Sequence, residues 1–276
     1  MLLQFTKMHG AGNDFVVLDL ISQRYTLSTD DVRKLADRHF GIGCDQVLVV
    51  EAPRDPQVDF RYRIFNADGD EVEQCGNGAR CFARFVRDKK LTTKRDISVE
   101  TAAGIIVLHV RENNQVEVNM GEPVFAPEQV PFEAPQQADF YAVDVAGTEL
   151  ELGVLSMGNP HAVHRVADTV ALDLDHIGRQ LESHPRFPQR VNAGFMQVVT
   201  ANEINLRVYE RGVGETLACG TGACAAMVYG LLRGWLSDTV TVNLPGGKLS
   251  ISWAGPGQPV IMTGPTAVAF EGTIKI

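Results

Sequence analysis

The feature that most constrains this chain is an internal duplication. Gln74-Cys75-Gly76-Asn77-Gly78-Ala79 is answered 144 positions later by Ala218-Cys219-Gly220-Thr221-Gly222-Ala223. Upstream, Gly12-Asn13 is answered by Gly158-Asn159 at an offset of 146. Downstream, Gly104 is answered by Gly247 and Gly121 by Gly264, both at 143. An offset that stays nearly constant over this length means two halves of one design, not a short stacked repeat. The expected organisation is a first half over residues 1–121 and a second over 122–264. A closing strand, 265–276, is free to return to the first half.

Local patterns fill the two halves in the same way. Ser28-Thr29-Asp30-Asp31 opens a helix, Val32, Leu35, Ala36 and His39 follow at helical spacing, and Gly41 can end it. Its counterpart starts at Asp173, carries Leu174, Ile177 and Leu181, and is stopped by Pro185. Residues 60–64 and 204–208 alternate as strands do. Each runs through a polar, glycine-containing turn into its Cys-Gly motif, after which the sequence becomes helical. Ala79, Phe82, Ala83 and Val86 mark one buried face. Residues 223–232 contain no charge and read as a helix buried all round. Extended segments close each half, 105–110 and 116–120 around Glu112-Asn113-Asn114, then 249–253 and 260–262 around Gly255-Pro256-Gly257. Pro123, Pro127, Pro131 and Pro135 punctuate a polar stretch that reads as a linker. The class is α/β (α+β).

The chemistry lies in the duplicated motif. A helix N-terminus presents unpaired backbone N–H groups and about half a positive charge. A cysteine placed there is expected to have a lowered pKa, and the glycines after it let an anion approach the backbone. Two such sites suit inversion of a carbon stereocentre: a base takes a proton from one side, an acid returns one from the other, and the helix ends stabilise the charge that builds between. No cofactor is required for this. No P-loop is evident, and Gly10-Ala11-Gly12 lacks the third glycine of a dinucleotide fingerprint. Cys44, Cys81 and Cys224 read as small buried apolar residues, and Cys81 and Cys224 do not correspond in the repeat. A structural zinc site, a redox dithiol and a thiol sensor are competing readings of the cysteines alone. The spacings lack a paired CxxC, and no histidine set has metal-ligand spacing, so no metal is expected.

Composition removes further classes. Lys and Arg total 25 against 34 Asp and Glu, a net charge of −9. That is not the basic footprint of a nucleic-acid binder. No apolar run approaches the roughly 20 residues of a membrane span, and residues 1–7 do not open a signal peptide. Five cysteines, an odd number, fit a reducing compartment, so a cytoplasmic location is expected.

At these motifs the sequence resembles the diaminopimelate epimerase family. The resemblance is carried by Asn66-Ala67-Asp68-Gly69-Asp70-Glu71-Val72-Glu73-Gln74-Cys75-Gly76-Asn77-Gly78-Ala79-Arg80, and by Glu210-Arg211-Gly212 followed by Ala218-Cys219-Gly220-Thr221-Gly222. Lys7-Met8-His9-Gly10-Ala11-Gly12-Asn13-Asp14-Phe15 and Gly158-Asn159-Pro160-His161 extend it over essentially the whole chain. It departs at Asp70, where the family usually has Ser. It implies cofactor-independent interconversion of LL- and meso-2,6-diaminopimelate, in lysine and peptidoglycan precursor biosynthesis. The implied fold is two pseudo-symmetric halves, each a β-barrel-like sheet around a central helix, with the active site in the cleft between them; the implied assembly is a homodimer.

The resemblance also implies roles. Cys75 and Cys219 are the acid/base pair, and Gly76-Asn77 and Gly220-Thr221 supply N–H groups to the reacting carboxylate. Asn13, Gln46, Asn66, Asn159, Asn192, Glu210 and Arg211 line the substrate pocket, and His161 and Glu210 tune the cysteines. Elementary chemistry is compatible: Arg211 can grip a distal carboxylate with two parallel bonds, and the asparagines offer donors and acceptors to ammonium and carboxylate groups. The closest rivals are proline or hydroxyproline racemases, whose first motif usually has His in place of Asn77, and the phenazine-biosynthesis isomerases, which lack the thiol pair.

Overall fold

A computed structural model describes every residue except Glu73, Gln74, Ala103 and Asn114. Gln74 of the first motif and Asn114 of the expected turn therefore lie outside the described residues. The chain divides into two compact units, Met1–Asn119 with Thr263–Ile276, and Met120–Met262. In the first, β1 (Leu2–Gly10) and β2 (Asn13–Asp19) precede α1 (Thr29–Ala36). Then come β3 (Gln46–Glu51), β4 (Phe60–Asn66), β5 (Glu71–Val72), α2 (Gly76–Asp88), β6 (Asp96–Thr101), β7 (Gly104–Val110) and β8 (Val116–Asn119). In the second, β9 (Tyr141–Val145), β10 (Thr148–Ser156) and β11 (Pro160–Arg165) precede α3 (Leu174–Glu182). Then come β12 (Asn192–Thr200), β13 (Glu203–Glu210), β14 (Gly214–Thr216), α4 (Gly220–Leu232), β15 (Thr239–Leu244), β16 (Gly247–Ser252) and β17 (Ile261–Gly264). The last strand, β18 (Ala267–Lys275), pairs antiparallel with β1 and belongs to the first unit.

The ladders match step for step. In the first unit β1/β2 is antiparallel, β2/β3 parallel, β3/β4 antiparallel, β4/β6 parallel and β6/β7 antiparallel. In the second, β10/β11, β11/β12, β12/β13, β13/β15 and β15/β16 repeat that series. Each parallel β2/β3 or β11/β12 step is bridged by a short helix, as a parallel connection requires. Strands from both ends of the first ladder, β1, β2 and β3 with β7 and β8, pack against α2. The sheet therefore curls round that helix. Helix α4 meets β10, β11, β12, β13, β15 and β16 in the same way, which is why it can be apolar on every side.

Local chemistry explains the helix limits. Ser28 and Asp31 form a reciprocal capping box at α1, which stabilises a helix start by about 1 kcal/mol. The helix ends at Ala36, short of His39 and Gly41, because the Asp37 carboxylate takes the N–H groups of His39 and Phe40. Asp173 caps α3 through the N–H of His176. The proline-punctuated stretch is not a loose linker. Val130 and Phe132 are buried in the core of the second unit with Tyr141, Phe187 and Phe195, so apolar residues between the prolines anchor it. Among the described residues no helix is long and apolar enough to cross a membrane.

Candidate active site

In the first unit the strand register brings three of the expected polar residues to one end of the sheet. Asn13 is the first residue of β2, Gln46 the first of the parallel β3, and Asn66 the last of the antiparallel β4. Gln46 Nε2 donates to Asn66 Oδ1 at 2.9 Å. Cys75 is the N-cap of α2, and its sulfur accepts the Gly78 N–H at 3.4 Å. The Cys75 thiol lies 3.8 Å from Asn13 Oδ1, which also accepts Asn77 Nδ2 at 3.3 Å. Arg80 donates to Asn77 Oδ1 at 2.8 Å, and Asn13 Nδ2 donates to Asp45 Oδ2 at 2.8 Å. A guanidinium only donates and a carboxylate only accepts, so this chain of bonds fixes which end of each carboxamide faces where.

Asn13 is held in place by an ionic knot on its neighbour. Asp14 bonds Lys7 at 2.5 Å and Arg38 at 2.8 Å. Burial pushes the Asp14 carboxyl up, but the Arg38 and Lys7 hydrogen bonds outweigh it and hold the pKa at about 2.

The second unit repeats the arrangement with different side chains. Asn159 precedes β11, Asn192 opens the parallel β12, and Glu210 ends the antiparallel β13. Cys219 caps α4, accepts the Gly222 N–H at 3.3 Å and lies 3.5 Å from Thr221 Oγ1. Thr216 hydrogen-bonds Glu210 Oε1. Here one expectation is corrected. Burial, and next the Glu210 carboxylate, push the Cys219 thiol well above its ordinary range. The helix end does not win, because the side chain is only 4% exposed and a negative neighbour opposes ionisation.

His161 is 1% exposed, with Nε2 2.9 Å from Asn159 Oδ1. Burial, and next the Arg211 guanidinium, push it down to about 3, so it is a neutral ring at neutral pH. Asn192 is committed to backbone: its Nδ2 donates to Pro160 O at 2.9 Å and its Oδ1 accepts the Arg211 N–H at 3.0 Å. The Arg211 side chain is exposed and donates to Gln189 O at 3.1 Å.

Space is short at one glycine of each motif, more severely at Gly78 than at Gly222. A Cβ on Gly78 would lie 2.3 Å from the Tyr62 hydroxyl oxygen, and one on Gly222 3.1 Å from Val208 Cγ2 and 3.2 Å from Cys219 Sγ. Cys44 and Cys81 are core residues, each pushed to about 12 chiefly by burial. A surface cavity of about 510 Å³ in the second unit is lined by Glu151, His164, Arg165, Val166, Ala167, Val198 and Trp235, and by none of the site residues above.

The family model described as diaminopimelate epimerase matches residues 5–126 and 153–268. The chain is 60% identical to a diaminopimelate epimerase of Pseudomonas fluorescens and 59% identical to one of Teredinibacter turnerae, over 100% of this chain and of each relative. The chain belongs to the diaminopimelate epimerase family. Solved structures share its fold at low identity. A phenazine biosynthesis protein of the PhzF family from Bacillus anthracis has TM-score 0.72 at 16% identity, covering 100% of both chains. A hydroxyproline epimerase from Agrobacterium vitis, with bound trans-4-OH-L-proline, has TM-score 0.70 at 16% identity, covering 99% of this chain and 92% of its own.

In this member of the diaminopimelate epimerase family, sequence reasoning passed over Asp45, Arg80, Thr216 and Glu182. Glu182 is buried and accepts the Gly212 N–H at 2.9 Å and Arg190 at 3.2 Å. None of the four carried a usable signal, since Arg80 shares α2 with Arg84, Arg87 and Asp88. The Glu210 arrangement makes a direct prediction. Glu210→Gln removes the negative neighbour, so the Cys219 pKa should fall and its alkylation at mildly alkaline pH should quicken about tenfold. An unchanged rate would detach Glu210 from Cys219.

Proposed function

We propose that this chain is a cofactor-independent amino-acid epimerase that interconverts LL- and meso-2,6-diaminopimelate, supplying lysine and peptidoglycan precursors in the cytoplasm. The observation that carries the reading is the pair of matched caps. Cys75 and Cys219 each open a buried helix at the same point of two similarly built halves. In this reading the two cysteines address opposite faces of one α-carbon.

Cys219, buried beside Glu210, enters as the thiol and gives its proton to one face. Cys75 enters as the thiolate and removes the α-proton from the other. The negative charge spreads into the α-carboxylate, where the amides of Gly76-Asn77 and Gly220-Thr221 receive it. One such donor is worth about 3 kcal/mol of barrier. Asn13, Gln46, Asn66, Asn159 and Asn192 set the polar lining. His161, neutral, holds Asn159 as a hydrogen-bonding ring rather than as a charge. Arg211, exposed, takes the distal carboxylate. Arg211→Lys should raise KM about tenfold and change kcat little, because a point charge cannot reproduce the fork. Unchanged KM removes Arg211 from that role. Epimerisation of LL-diaminopimelate by the pure protein, set against a panel that includes proline and hydroxyproline, tests the assignment.

The active assembly in this reading is a homodimer. Support comes from β18, where Val268 and Phe270 are 45% and 50% exposed. Phe270→Asp should shift sedimentation toward the monomer. A wild-type chain that sediments as a monomer at all concentrations would rule the dimer out.

A further inference from the structure

Arg80 is charged, yet none of its surface reaches solvent. Its guanidinium donates to Gly76 O at 3.4 Å and to Asn77 Oδ1 at 2.8 Å. Burying such a group is costly, so its placement calls for a reason. The peptide group it holds by the Gly76 oxygen is the one whose N–H belongs to Asn77. In a planar trans peptide that N–H points away from the carbonyl. The cation therefore stands behind the opening amides of α2, adding a full charge to the partial charge of the helix end. The repeat places Cys224, buried, at the corresponding position of the second half, so no arginine stands there. There the charge beside the capping cysteine is negative, from Glu210. The two helix starts are built alike and charged oppositely.

We propose that Arg80 is a positioning residue that makes the two cysteines unequal: its buried guanidinium holds Cys75 toward the thiolate and the Gly76 and Asn77 amides toward an anion. The inference rests on the reading of Cys75 as one of the two proton-transfer groups and deepens it by naming what favours its ionised form.

One neighbour opposes this effect: Asn13 Oδ1, an acceptor, faces the Cys75 sulfur at 3.8 Å and favours the thiol. Among the described residues, the charged groups on the strands beside α2 are bonded elsewhere. Tyr62 on β4 and Cys81 on α2 both interact with Cys75. Burial, the largest cause, pushes Cys81 to about 12 and Tyr62 well above its usual value, while Arg80 pulls both down. Both are therefore neutral at pH 7. The strands packed against α2 carry Lys7, Asp14, Asp19, Glu51, His109 and Glu117. Lys7 closes on Asp14, Glu51 on Arg61 and Arg63, His109 on Asp96, and Glu117 on Arg111. Asp19 accepts the N–H groups of Ile21 and Ser22. His9 on β1 completes the set of titratable groups on these strands, and on α2 itself Arg84 closes on Asp88.

The test is iodoacetamide alkylation of the whole chain across about pH 5 to 10, read peptide by peptide. Cys75 should become half-reactive below the ordinary thiol value of about 8.5, and Cys219 above it. Arg80→Met keeps the volume and removes the charge. It should move the Cys75 curve toward higher pH and cost about tenfold in reactivity at neutral pH. Arg80→Lys keeps the charge and should stay near the parent. Coincident parent and Arg80→Met curves overturn the proposal. So does a parent Cys75 that titrates at or above the ordinary value, an outcome that needs no variant to fold. No substrate enters this titration. A low Cys75 curve in a chain that does not epimerise diaminopimelate therefore defeats the functional reading and spares the role of Arg80.

Discussion

Cys75→Ala and Cys219→Ala should each lower epimerisation by about a thousandfold or more while leaving a folded protein, because each removes a group that must hold a proton during turnover. The structural cost is small. An alanine at an N-cap forfeits about 1 kcal/mol of helix capping, and sulfur is a weak acceptor to begin with. The melting temperature should therefore move by only a few degrees. Cys→Ser keeps the cap but supplies an alcohol, a far poorer base at neutral pH, and should rescue stability more than rate. Steady-state assays with LL- and meso-diaminopimelate beside a melting curve separate the two effects. Near wild-type turnover in either alanine variant means that cysteine moves no proton.

Gly153→Ala should be the most damaging single methyl group in the second half. Gly153 lies in β10 opposite Val163, and a Cβ there would fall 2.2, 2.3 and 2.6 Å from Cδ2, Cγ and Cε2 of Tyr229. These atoms are the body of a ring that is 2% exposed and cannot swing aside freely. The Tyr229 hydroxyl bonds Glu151 at 3.3 Å and accepts Arg233 at 2.9 Å, and the ring meets Trp235 edge-on at 5.5 Å. Overpacking of this kind costs about 1–3 kcal/mol, here toward the upper end. For a chain of this size that lowers Tm by roughly 6–12 °C. Combined with Tyr229→Ala, the loss should be smaller than the two single losses added, since the two changes share one volume. A Tm within a degree of wild type would show that the strand and helix separate without strain.

The repeat made the architecture legible. Glycine and cysteine positions recurring at one offset are enough to require two similar halves, and the matching ladders follow from that. Helix and strand patterns located α1, α3, β4 and β13 because their apolar spacing is regular. Helix ends were harder. Nothing in the spacing of His39 and Gly41 reveals that the Asp37 carboxylate turns back to bond the chain after Ala36. The prolines of 123–135 read as a linker because Val130 and Phe132, which bury them against the second core, are isolated in a polar stretch.

At the site, the capping positions of Cys75 and Cys219 were readable from the glycines that follow. The charge state of Cys219 was not. A helix end alone argues for a lowered pKa, but burial and Glu210 reverse it, and Glu210 comes close only because β13 ends beside the start of α4. Arg80 did not stand out from Arg84 and Arg87 of the same helix, and its bonds to Gly76 and Asn77 depend on the way the helix starts. Asp45 reaches Asn13 through the β2/β3 pairing, a contact across 32 residues that no local pattern encodes.

The central claim is that two thiols move one α-proton without a cofactor. It is tested most directly by incubating the pure protein with LL-diaminopimelate in D2O, with no pyridoxal phosphate or metal added, and reading stereochemistry and isotope content early in the reaction. The account predicts meso product carrying one solvent deuterium at the inverted carbon, while recovered LL substrate remains protiated. Inversion without deuterium uptake, or inversion that appears only when pyridoxal phosphate is supplied, contradicts it.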